Sequence, residues 1–258
     1  MVKRISTLAI VLLLNFLPTP HTYAAPSSTD AEATKETKTP SSDAAVPFRD
    51  IYHEVAPYET IWRISAMYGV PVEDILKANS LPPKPILKAG QKILIPHTKG
   101  PRPNIPLFPT DRWKSIVIHQ SNADEGNAYS INQKNQERGL GDEGDPHFII
   151  DNGTRGKAVG QIELGMPWLK QLEAGPCPIS EKQSQKGTIS IVLIGNFNEK
   201  GLPDKQLNSL VFLTKTLEEF YRIKSENVLW HDEMCPGKYF PEKEFLRRLE
   251  EYKPNSTL

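Results

Sequence analysis

Three histidines and one cysteine carry the chemistry this chain could perform. His119 ends the apolar run 116–118 in "WKSIVIHQS", and His147 opens "HFIIDNG". His231 and Cys235 stand together in "LWHDEMCPGKYF", and Cys235 is one of only two cysteines in 258 residues. Two imidazoles and a thiolate are ligands for Zn²⁺, and a catalytic zinc site typically keeps a fourth position open for water. Bound zinc lowers the pKa of that water to about 7 and polarises a carbonyl. The spacing His-x₃-Cys is equally compatible with a hydrogen-bonded core histidine beside an inert thiol. Cys177 leaves two more arrangements open, a Cys177–Cys235 disulfide or a fourth metal ligand. His53 and His97 flank a small module and read as surface residues.

Such side chains need a rigid frame. "WKSIVIHQS", "PHFIIDNG" and "TISIVLIGNF" read as strands, and "ENVLW", directly before His231, reads as another. "TISIVLIGNF" is nearly all apolar and rich in β-branched residues, which predicts a central strand covered on both faces. "PDKQLNSLVFLTKTLEEFYRI" has helical periodicity, with Leu207, Leu210, Val211, Leu217 and either Phe220 or Tyr221 facing the core. "PEKEFLRRLEEY" predicts a final short helix behind Pro241. Residues 113–258 therefore form a mixed-sheet α/β domain.

The preceding chain divides further. Residues 1–24 read as a secretory signal peptide: Lys3 and Arg4, an apolar run over 8–17, then small residues up to Ala24. An uncleaved anchor is the alternative, but a bilayer span takes about 20 apolar residues. The mature protein is then exported, periplasmic or secreted, with no membrane span and in a compartment that permits disulfides. Residues 25–50 are rich in Ala, Ser, Thr and Pro and read as a flexible linker. Residues 51–97 have the order strand, helix, helix, strand: Thr60 caps a helix carrying Ile61, Ile64, Ser65 and Tyr68, Pro71 opens a second, and "QKILIP" is the closing strand. Residues 98–112 hold four prolines in "TKGPRPNIPLFPT" and read as a semi-rigid linker. The fold class is α/β, a small βααβ module followed by the larger domain. A formal net charge of +0 argues against nucleic acid as a bulk partner.

The small module resembles a LysM module. "YETIWRISAMYGV", the turn at Asn79-Ser80-Leu81 and "LKAGQKILIP" carry the likeness. It implies binding of N-acetylglucosamine-containing glycans such as peptidoglycan. Tyr58 departs from it, standing where a glycine is usual, and "PPKP" lengthens a loop. The larger domain resembles the zinc-dependent N-acetylmuramoyl-L-alanine amidases that share a fold with peptidoglycan recognition proteins. "IVIHQS", "GLGDEGDPHFIIDNG", "ISIVLIGNF", "LPDKQLNSLVFL" and "VLWHDEMCPGKYFP" carry that likeness in order.

The amidase resemblance implies zinc on His119, His231 and Cys235. It also implies hydrolysis, by a zinc-bound water, of the amide joining N-acetylmuramic acid to L-alanine, so that glycan and stem peptide are the partners. Departures affect the assisting groups. Pro146 stands where relatives often have a tyrosine, Val192 where some use a glutamate, and Cys177 where a cleft histidine is frequent. His147, Glu143 and Asp145 are the nearest replacements, His147 first among them. A non-catalytic peptidoglycan-binding protein on the same fold is the alternative.

Overall fold

The computed structural model describes residues 46–174, 186–230 and 237–253. The expected signal peptide and most of the linker after it lie outside these residues, as do Cys177, His231 and Cys235. Among the described residues, no helix is long and apolar enough to cross a membrane.

In the small module, strands β1 (Arg49–Glu54) and β2 (Lys92–Thr98) pair antiparallel, with helices α1 (Ile61–Tyr68) and α2 (Val72–Ala78) between them. Thr60 caps α1, its hydroxyl accepting from the Arg63 amide at 3.4 Å. Pro71 sits one residue earlier than expected, at the N-cap of α2, where its missing N–H costs nothing. Ile61, Ile64, Tyr68, Val72, Ile75, Ile93 and Ile95 form the core.

Asn79 ties α2 to β2. Its Nδ2 donates to the carbonyls of Ile75 and Leu94 at 2.8 and 2.7 Å, and its Oδ1 accepts from the Leu94 amide at 2.7 Å. Asn79→Ala should therefore cost about 1–3 kcal/mol, since it strands partly buried backbone groups. Chemical denaturation would test this, and a cost below about 0.5 kcal/mol would mean that water replaces the amide.

His53 is not on the surface. It is 0% exposed. Its Nε2 lies 2.7 Å from Glu59 Oε2, and its Nδ1 lies 3.1 Å from the Tyr68 hydroxyl. The strand end that carries it is covered, which its flanking position did not reveal. His97 is exposed and stacks on Phe48 with ring centroids 4.4 Å apart.

The larger domain is built on a five-stranded sheet in the order β5-β4-β6-β3-β7. These strands are β3 (Ser115–Gln120), β4 (Phe148–Asn152), β5 (Val159–Leu164), β6 (Thr188–Leu193) and β7 (Val228–Trp230). β4, β6, β3 and β7 run parallel, and β5 is antiparallel to β4. β6, apolar or β-branched at every position but Ser190, is central, as its composition requires. One sheet face carries Ile116, Ile118, Phe148, Ile150, Ile162, Ile189 and Ile191. It packs on helix α5 (Asp204–Tyr221) through Leu207, Leu210 and Leu217, and on α6 (Glu242–Glu251) through Phe245 and Leu249. Tyr221, not Phe220, is the inward aromatic of α5.

The opposite face carries more polar residues. Two elements cover it: helix α3 (Ala128–Glu137), and the small module. Ala56 of the module joins Ala128, Ile149 and Ile194 in one apolar cluster. The proline-rich segment is not a free spacer. Ile105, Leu107 and Phe108 pack on the main core. The buried indole of Trp168, on the short helix α4 (Met166–Lys170), donates to the Pro106 carbonyl at 2.9 Å, and the Phe108 amide donates to the Tyr221 hydroxyl. A buried indole N–H requires an acceptor, and this segment supplies it.

Candidate active site

β3 presents His119 near its carboxyl end, where open α/β sheets place their ligands. His119 pairs in register with Val192 of β6 and is 6% exposed. It lines a cavity of about 270 Å³ on the polar sheet face. Ser190 and Val192 of β6 line the cavity alongside it. α3 forms a wall, presenting Ile131, Lys134 and Asn135, with Arg138 at its C-cap.

No apolar stripe predicts α3 in "AYSINQKNQE", so periodicity alone does not reveal it. Its start is specified by a capping box. The Asn127 side chain accepts from the Ser130 amide at 2.9 Å, and the Ser130 hydroxyl accepts from the Asn127 amide at 2.9 Å. That Asn-x-x-Ser pattern is the signal that could have found the helix.

Asp145 and Pro146 close one end of the cavity. The Asp145 carboxylate accepts from Asn132 and Asn135 at 2.9 and 2.8 Å. Burial raises its pKa, and the two amide donors oppose that rise. Glu143 is exposed. Pro146 and Val192, the places at which an assisting tyrosine or glutamate was expected, both line the cavity and offer no acid, base or donor.

His147, expected as a substitute acid or base, is a packed core histidine. It is 0% exposed and not among the residues lining the cavity. Its Nδ1 accepts from the Ser190 amide at 3.0 Å, so Nε2 carries the proton and donates to the Leu172 carbonyl at 2.9 Å. Trp113 and Trp168 meet the ring edge-on. Desolvation pushes its pKa down to about 4. Both ring nitrogens are committed to backbone, so neither can meet a substrate proton.

Of the three expected metal ligands, only His119 lies within the described residues. Among those residues, no three His, Cys, Asp or Glu side chains come together as a metal site. The donor chemistry at His119 nevertheless fits zinc: an imidazole on a rigid strand, at the edge of a cavity, beside the strand whose next residue in sequence is His231.

Comparison with known proteins gives the class. The family model for "N-acetylmuramoyl-L-alanine amidase" matches residues 109–238, just over half of the chain, and that for "LysM domain" matches residues 53–96. The chain belongs to the N-acetylmuramoyl-L-alanine amidase family and carries an N-terminal LysM domain. Among solved structures it is similar to the N-acetylmuramoyl-L-alanine amidase LysC from Clostridium intestinale URNW, at 25% identity and TM-score 0.43, over 54% of this chain and 86% of that one. It is also similar to bumblebee PGRP-SA, at 19% identity and TM-score 0.41, over 56% and 86% of the two chains. The AmiD amidase from E. coli is similar at 21% identity and TM-score 0.38, over 63% and 65%. No curated protein matches the chain.

Proposed function

We propose that the chain hydrolyses the amide between N-acetylmuramic acid and the first L-alanine of peptidoglycan, after export to the cell wall. The observation that carries this reading is His119, held at the carboxyl end of a central strand and lining the cavity. His119, His231 and Cys235 would hold Zn²⁺. Trp230 pairs with Ile118, and His231 and His119 follow them in sequence, which supports a shared site. When bound, zinc polarises a carbonyl and acidifies a water. The protein's own contribution is positional. The sheet fixes His119, and α3 presents Lys134 and Arg138, whose charges suit the carboxylates of a stem peptide. Asp145, buried and braced by two asparagines, is the ionisable carboxyl at the cavity end that can exchange a proton with a substrate group.

A second reading rests on Pro146 and Val192. With both usual assisting positions inert, the domain could bind peptidoglycan without cutting it. Incubating zinc-loaded full chain with purified peptidoglycan separates the two readings. Hydrolysis releases new L-alanine amino termini, and a chelator stops it. Wall binding with no new termini, under both reducing and oxidising conditions, would establish the binder.

A further inference from the structure

Tyr58 departs from its family's usual glycine, and its backbone shows why glycine is usual there. Its φ is 59°, in the left-handed region that costs a non-glycine residue roughly 1–2 kcal/mol. The residue is 59% exposed, so burial does not offset that cost. What it does make is a hydrogen bond across the module boundary: the Tyr58 hydroxyl donates to Asp142 Oδ2 at 2.8 Å, and Lys170 lies over the ring, 5.5 Å from its centroid. Asp142 also accepts from Asn132 and Gln136 of α3, at 3.2 and 3.0 Å. It belongs to the 3-10 turn Asp142–Gly144 that leads into Asp145.

A second link reaches the other end of α3. Lys157 is buried, donates to the Glu54 carbonyl of the module at 2.6 Å, and pairs with Glu163 at 2.5 Å. The other oxygen of Glu163 accepts from the Ala128 amide, the first N–H of α3, at 2.7 Å. A carboxylate there also complements the helix dipole. Between the two links the Tyr129 ring packs against the module backbone at Gly90. A Cβ added at Gly90 of the module would lie 2.8 Å from the Tyr129 ring of α3.

We infer that the LysM module is a fixed brace for the wall of the cleft. Through Tyr58–Asp142 at one end and Lys157–Glu163 at the other, it positions α3, the helix that walls the cavity. Tyr58 and Lys157 are positioning residues. The amidase domain therefore depends on the module even for a substrate that the module does not hold.

The test uses the full chain and three variants: Tyr58→Phe, Tyr58→Gly, and the double variant Lys157→Met/Glu163→Gln, which keeps an acceptor for the Ala128 amide. Amide hydrogen exchange is read at residues 128–137 and 142–145, with α5 as the internal reference. Losing one hydrogen bond of about 1 kcal/mol predicts roughly fivefold faster exchange in α3 for Tyr58→Phe, with α5 unchanged. Tyr58→Gly relieves the left-handed strain, so an unlinked module predicts equal or greater protection. We expect the same loss as in Tyr58→Phe. The double variant should open the N-terminal turn of α3. Turnover of a soluble muramoyl-L-alanine peptide should fall by a similar factor in kcat. Unchanged α3 protection, or equal loss in α3 and α5, would overturn the inference. The turnover arm rests on the amidase reading. If the wild type turns over no substrate, that reading fails, while hydrogen exchange still decides this one.

Discussion

Lys157→Met will cost about 3–5 kcal/mol of stability, the range for a buried ion pair that loses one partner. The expectation follows from what surrounds the ammonium group. The Lys157 and Glu163 side chains are 0% and 2% exposed. Asp151 is fully buried nearby, and burial first, then the neighbouring Glu163 charge, raises its pKa well above the usual range for an aspartate. That shift favours the neutral form of Asp151, and Lys157 is the cation that pairs with Glu163, at 2.5 Å. Glu59 adds a further carboxylate on the module side. Burial alone would raise its pKa, but His53, Lys157 and the Ala56 amide together hold it down to about 2. Methionine matches the length of lysine but supplies neither charge nor donor, so the Glu54 carbonyl and the Glu163 carboxylate are stranded together. Adding Glu163→Gln should recover most of the loss, because neutralising both partners of a buried pair is often close to neutral. Denaturant titration of the two variants measures both quantities. A loss under 1 kcal/mol in the single variant would mean that water reaches the junction.

Acidification from pH 7 to pH 4 should remove about 3 kcal/mol through His147 alone. The imidazole takes a proton near pH 6.5 in the unfolded chain but only near pH 4 in the folded one. The unfolded state therefore binds more protons across that window. Stability is fully present above pH 6.5 and falls until the folded imidazole titrates as well. Glu59 continues the loss at lower pH, since its folded carboxyl is depressed from 4.5 to about 2. In His147→Gln the loss between pH 6.5 and pH 4.5 should disappear or reverse, because the raised pKa of Asp151 favours the folded state as pH falls, while the acid limb of Glu59 below that persists. An unchanged slope in the variant would assign the loss to other groups.

The central strand, the inward face of α5 and the placement of His119 at a strand end were all legible in the sequence. Each is written locally, in apolar runs or helical spacing. α3 was not legible, because its buried residues are Ala128, Ser130 and Asn135, which form no apolar stripe. Its position is set by a capping box and by contacts with residues far away in sequence. The same holds for Asp145, whose brace comes from Asn132 and Asn135, and for the links through Tyr58 and Lys157. The sequence marked Tyr58 only as a departure. The left-handed backbone and the hydroxyl contact give the departure a physical content. His147 shows the converse: a histidine next to a cleft strand suggests chemistry, and only its two backbone partners reveal that it is committed to packing.

The docked proline-rich segment changes what the two modules can do with a polymer. A loose leash lets two sites search independently, and its benefit is an effective concentration that depends on length. Here the segment between them is pinned by Trp168 and Tyr221, so its chain entropy is already spent on folding. The module and the cleft are then held at one separation instead of searching independently. A fixed separation of this kind removes the dependence on linker length that a flexible tether would have.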